Sequence, residues 1–149
     1  MKKLIVCTVL GLAAVSASAL EMTVSAGRDF ADVGRGYGGV TVGQAIGGAT
    51  VSLGYQRTAV GTNDQNRFSL TGGYDVVKVG PVLVTPTVGL AYVNNKTSDN
   101  GVALTAGVEL SMPVYKKVEA VLDYSYQLGQ NRISSSDGGR VAVGVRYPF

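Results

Sequence analysis

Gly139-Arg-Val-Ala-Val-Gly-Val-Arg-Tyr-Pro-Phe149 is the stretch on which the reading of this chain turns. It alternates with a period of two. Val141, Val143, Val145, Tyr147 and Phe149 share one side, while Arg140, Ala142, Gly144, Arg146 and Pro148 share the other. Successive side chains of an extended strand leave on opposite faces. The pattern therefore predicts a strand with one bulky apolar wall and one small or charged wall.

The same alternation recurs upstream. Residues 20–30 set Leu20, Met22, Val24 and Ala26 against Glu21, Thr23, Ser25 and Gly27. A glycine-rich strand is expected over 36–46, with Val40, Val42 and Ile46 on one side. Residues 49–57 set Ala49, Val51, Leu53 and Tyr55 against Thr50, Ser52, Gly54 and Gln56. Further strands are expected over 67–79, 82–93, 102–112 and 118–129, and 139–149 makes the eighth. Pro86 falls inside one of them and removes a ladder donor, which predicts a bulge or irregularity there. Connections alternate between polar loops (near 31–35, 60–66, 94–100 and 130–138) and tight turns (near 47–48, 80–81 and 113–117). An up-and-down barrel with long connections at one rim and short ones at the other has this rhythm.

Residues 1–19 read as a secretory signal peptide. Lys2 and Lys3 precede an apolar run from Leu4 to Val15, and Ala17-Ser18-Ala19 forms a small-x-small cleavage site. The run is shorter than the ~20 residues a spanning helix needs. Cleavage after Ala19 leaves residues 20–149 as one barrel domain. Cys7, the single cysteine, lies in the signal without a lipobox before it. The mature chain then has no thiol chemistry and no disulfide. Removing the two signal lysines from 13 basic residues leaves 11 against 10 acidic ones, a net charge of +1. That near balance argues against nucleic acid as a partner. With no histidine in the chain, an ordinary zinc site and a histidine-based dyad or triad are excluded.

Which wall faces inward decides the class. A soluble barrel of lipocalin type, or a periplasmic sandwich, would hide the apolar wall and charge the outer one. Here the apolar wall is bulky and almost free of charge along its middle, and the opposite wall is Gly, Ala, Ser and Thr with scattered Glu, Asp, Arg and Gln. An eight-stranded lumen is just wide enough for side chains to fill. Small and polar residues suit it, and glycines at 54, 73, 89, 107 and 144 make room for larger polar neighbours. Tyr55, Tyr74, Tyr92, Tyr124, Tyr126, Tyr147 and Phe149 all fall on the apolar wall, where an interfacial girdle belongs. The expectation is an all-β, eight-stranded antiparallel up-and-down transmembrane barrel with short periplasmic turns.

In this pattern the mature chain resembles the small outer-membrane barrel superfamily, the OmpA/OmpX-type barrels and the opacity and neisserial surface protein group. The sharpest shared element is Val143-x-Val145-x-Tyr147-x-Phe149, which looks like the C-terminal signal read by the barrel assembly machinery. Pro148 departs from it by removing a backbone donor, and points to an edge or a frayed end. The resemblance implies a Gram-negative outer-membrane location at the cell surface. It also implies contact with outer-membrane lipid and lipopolysaccharide, handling by periplasmic chaperones, and a monomer.

Parity turns Glu21, Asp75, Glu109, Glu119, Asp123, Arg140 and Arg146 inward. In a narrow lumen such charges must pair or be hydrated. One reading is a salt-bridge network that closes the barrel, giving a structural or surface-exposed protein. The other is a narrow, porin-like channel with a weak cation preference, since five acidic groups face two arginines; an adhesin acting through extracellular loops is a further alternative. Gly34-Arg-Gly36-Tyr-Gly38-Gly39 spells a dinucleotide motif, but no helix pattern follows it. Serines without a basic partner offer no nucleophile, so no enzyme, cofactor or metal is expected. Arg35, Arg57, Arg67, Lys96 and Arg132 are expected near the outer rim, where they could meet lipopolysaccharide phosphates.

Overall fold

The computed structural model describes residues 20–30, 35–58, 65–95, 100–129 and 138–149. The signal stretch 1–19 and most of the four polar connections lie outside the described residues. The strands are β1 (Leu20–Asp29), β2 (Arg35–Ile46), β3 (Ala49–Thr58), β4 (Gln65–Tyr74), β5 (Val77–Val79), β6 (Val82–Asn95), β7 (Gly101–Tyr115), β8 (Val118–Gly129) and β9 (Gly138–Pro148). Every pairing is antiparallel between chain neighbours, and β1 pairs with β9 as well as β2. The sheet closes on itself, and only the short β5 at the turn rim is paired on one side alone. Because β4 and β5 both pair with β6, they are two pieces of one strand, and the barrel has eight.

Turn chemistry sets the short rim. Gly47 and Gly48 adopt φ of 58° and 85°, the pair of positive angles a type I′ hairpin demands and glycine supplies without strain. Gly80 takes φ 60° ahead of Pro81. The third turn is shorter than the stretch 113–117 suggested. The β7–β8 ladder runs through Pro113 to Tyr115, with a register shift between those two residues, and turns at Lys116-Lys117. The connections 60–66 and 94–100 are also trimmed by the strands, because Asn66 and Asn94 pair across β4 and β6.

Both prolines on which an irregularity was expected have an explanation in the ladders. Opposite Pro86, the steps from Gly73 to Val77 number four, against three from Thr87 to Val84. One extra residue is therefore inserted between β4 and β5. Val76 N donates to Val84 O, so residues of that parity in β6 present their backbone groups to β5, and the missing donor of Pro86 points at the bulge. The bulge also turns both Val76 and Val77 outward, which strict alternation over 67–79 did not anticipate. At the chain end, β9 is neither an edge nor frayed: Glu21 pairs with Pro148, and Phe149 N donates to Leu20 O at 2.8 Å. Donors alternate sides along a strand, so Pro148 aims its absent N–H toward β8. The β8–β9 ladder has already ended there, at Glu119–Arg146.

The bulky apolar side chains are the exposed ones. Val88 is 67% exposed and Leu90 48%, whereas inward Val93 and Ala103 are fully buried. Tyr55, Phe68 and Tyr92 lie in one row across β3, β4 and β6 at the loop rim, and the first two rings pack 5.1 Å apart. Near the turn rim, Tyr147 and Phe149 pack edge-on at 5.2 Å. The aromatic rows flank an aliphatic band.

Candidate functional site: the lumen

The inward wall is divided into two levels. Toward the turn rim an interior cavity of about 270 Å³ is lined by hydroxyl-bearing Thr and Ser and by five carboxylates, Glu21, Asp75, Glu109, Glu119 and Asp123. Arg146 stands among three of them. It hydrogen-bonds Glu109, and lies 3.5 Å from Glu21 and 3.6 Å from Glu119, while its Nε donates to Thr23 Oγ1. Only barrel closure brings these residues together, because they come from both ends of the chain. Such a network fastens β1, β7, β8 and β9 from inside.

Asp75 and Asp123 line the same cavity outside that knot. Asp75 accepts from Thr85 Oγ1 at 2.7 Å, and Asp123 from Ser125 Oγ at 3.2 Å. Asp123 is the direct cross-strand partner of Glu109, and like charges in that position destabilise a sheet. Neutralising Asp123 as Asp123→Asn is therefore expected to stabilise the barrel by about 0.5–1 kcal/mol. The urea midpoint of the refolded chain in detergent checks it, and a clear fall would refute the repulsion.

Arg140 sits apart from Arg146, in the loop-side half. It is only 2% exposed, its guanidinium lies 4.3 Å over the ring of Tyr37, and it approaches Asp29 at 3.2 Å. That contact is one of charges rather than of a directed bond, because Arg140 Nε lacks hydrogen-bond geometry to any partner among the described residues. Arg140 also reaches across the lumen from β9 to β3, donating Nη1 to Gln56 Oε1 at 2.9 Å. Gly27 makes the Tyr37 position possible. A Cβ on Gly27 would lie 2.6 Å from that ring and 2.3 Å from the carbonyl of Val141.

Tyr37, Asp29, Gln56 and Arg67 were not among the lumen residues read from sequence. For Gln56 and Arg67 the signal was present, since alternation pairs Gln56 with Ser52 and Gly54, and Arg67 with Ser69. Arg67, expected at the outer rim, is instead buried inside the barrel, with 6% exposure. Arg57 is exposed at the loop end of β3, Arg35 starts β2, and Lys96 and Arg132 lie outside the described residues. The glycine-rich motif is a strand from Arg35 onward, with no helix after it. Val143, Val145, Tyr147 and Phe149 all face outward and are exposed. Among the described residues no cluster of acidic side chains has an arrangement that could hold a metal.

No protein-family profile and no curated protein matches the chain. Solved structures do. Neisserial surface protein A superposes with a TM-score of 0.63 at 16% identity, over 90% of this chain and 98% of that one. A major outer membrane protein of Thermus thermophilus gives 0.62 at 17%, over 88% and 100%. The outer membrane protein Ail of Yersinia pestis gives 0.56 at 14%, over 89% and 99%. Closure of eight strands, a lumen filled with polar side chains, an apolar outer wall and these whole-length likenesses agree: in fold, the chain is a small eight-stranded barrel of the outer-membrane kind.

Proposed function

We propose that the protein is an integral outer-membrane barrel with a structural or surface-exposed role and a mostly closed, salt-bridged lumen. The observation that carries closure is the bridge from Arg140 to Gln56, with Tyr37 and Asp29 beside it, spanning the loop-side half of the interior. The outer wall supports the location. Its exposed valines, leucines and tyrosines suit hydrocarbon and its interface, and in water they would form an apolar surface far larger than a monomer carries. Outer-membrane lipid and lipopolysaccharide are then its surroundings, the barrel assembly machinery and periplasmic chaperones its handlers, and the monomer its unit. It carries out no catalysis on this reading.

The acid-lined cavity favours a second reading, a narrow channel with a weak cation preference. Conductance across a planar bilayer separates the two. The refolded mature chain is expected to show no steady current, and Arg140→Ala to show openings, because the side chain that crosses the lumen is gone. Steady cation-selective current from the unaltered chain would replace closure with the channel.

A further inference from the structure

Every lysine among the described residues lies at the short-turn rim. Lys78 is in β5, and Lys116 and Lys117 form the β7–β8 turn. None of the three has an ion pair or a hydrogen bond among the described residues, whereas each described arginine has a partner. The stretches 76–82 and 112–118 contain no acidic residue. Asp75 and Glu119, which flank them, are turned into the cavity. The carboxylate at Phe149 forms no ion pair with the lysines. Lys116 is the residue at which this charge is built in. It adopts φ 48°, whereas the two other short turns use glycine for positive φ, at Gly47, Gly48 and Gly80. Glycine takes that left-handed backbone freely and lysine does not. Backbone geometry alone thus favours glycine at 116, and an outlier of this kind points to a use for the side chain.

The Lys116 ammonium lies 5.2 Å over the ring of Tyr115. Tyr115 pairs with Val118, and Val118 shares a face with Ala120, whose partner Val145 points outward. Tyr115 is 67% exposed, so its ring stands on the outer side of the barrel where the apolar wall ends. Val114 is exposed beside it, as are Val77 and Val79 on the neighbouring hairpin. An aromatic ring at the border of an apolar wall sits at the acyl boundary, and an ammonium above it reaches the headgroup layer. A soluble polyanion would leave that apolar flank uncovered. We infer that the Tyr115-Lys116-Lys117 turn, with Lys78 adding to its potential, binds the phosphate headgroups of anionic phospholipid in preference to zwitterionic ones. The inference rests on the membrane reading of the outer wall and names a lipid class that the reading leaves open.

Electron paramagnetic resonance of trace spin-labelled lipid tests it, with the refolded mature chain in phosphatidylcholine vesicles, because lipid immobilised at a barrel surface is resolved from the bulk. Spin-labelled phosphatidylglycerol is expected to be enriched in the immobilised population by about fivefold over spin-labelled phosphatidylcholine at low salt. Added salt is expected to reduce the enrichment, because exposed charges are screened. Replacing both lysines, Lys116→Gln with Lys117→Gln, is expected to remove most of it. Lys116→Gly is expected to lower it while leaving the urea midpoint unchanged or raised, a split that a purely structural lysine would not produce. Equal immobilisation of the two lipids by the unaltered chain, or an enrichment that survives in the double variant, would overturn the assignment and leave the membrane reading standing. No immobilised lipid of either kind would overturn both.

Discussion

Replacing Arg146 by methionine is expected to cost the barrel about 3–5 kcal/mol, the loss seen when one partner of a buried ionic cluster is removed. Total stability of an ordinary domain is about 5–15 kcal/mol, so much of the refolded population would be lost. The size of the effect comes from what remains rather than from what is removed. Methionine keeps the volume, but Glu21, Glu109 and Glu119 then face one another across the cavity without the guanidinium that now lies among them. Asp75 and Asp123 add to the same field. Partial relief should follow from removing one of the stranded charges: Glu109→Gln in the Arg146→Met background is expected to regain part of the loss, although Glu109→Gln alone destabilises. A double-mutant cycle on urea midpoints reads this coupling directly. An Arg146→Met chain within about 1 kcal/mol of wild type would mean that water in the cavity already screens the carboxylates.

Val88→Arg has the second large expected effect, and it probes the opposite wall. Val88 lies mid-strand in β6, points outward and is 67% exposed. On the surface of a soluble protein, a substitution at so exposed a position stays within about 0.5 kcal/mol. In a hydrocarbon layer, an arginine at the midplane of a barrel costs about 2–4 kcal/mol, falling to about 0–1 near the interface. Val79 provides the comparison, because it is similarly exposed but borders the Gly80-Pro81 turn. The expected result is a depth profile, with Val88→Arg strongly destabilised and Val79→Arg nearly neutral when the chain is refolded into lipid. Equal, small effects at both positions would put water around the barrel and remove the membrane reading.

Alternation by itself determined the architecture. Period-two patterning with a bulky apolar wall and a small polar wall specifies which side of each strand meets lipid, because a slip of one residue would exchange the walls entirely. The long and short connections alternate in the chain, so strand number and up-and-down order were legible too. Even the irregularity at Pro86 could be foreseen, since a missing donor is a local fact. Its form could not. Only pairing with β4 and β5 shows that the extra residue sits on the neighbouring strand and turns Val76 and Val77 the same way. The same holds for Pro148: the side on which its N–H is missing faces past the end of the β8–β9 ladder, so no ladder bond is lost.

The lumen followed the same division. Parity named the inward charges one strand at a time, but parity says nothing about depth or about which strands face each other across the interior. Closure and stagger of the barrel decided that Arg146 meets Glu21, Glu109 and Glu119, whereas Arg140 meets Asp29, Tyr37 and Gln56 at another level. Arg67 shows the limit most plainly. Its place beside a polar loop suggested a rim residue although its parity with Ser69 already turned it inward, and only the closed sheet shows that it shares Gln56 with Arg140. Local alternation sets the side of a strand a residue occupies; its companions there come from strands far apart in sequence, and only the closed sheet brings them within reach.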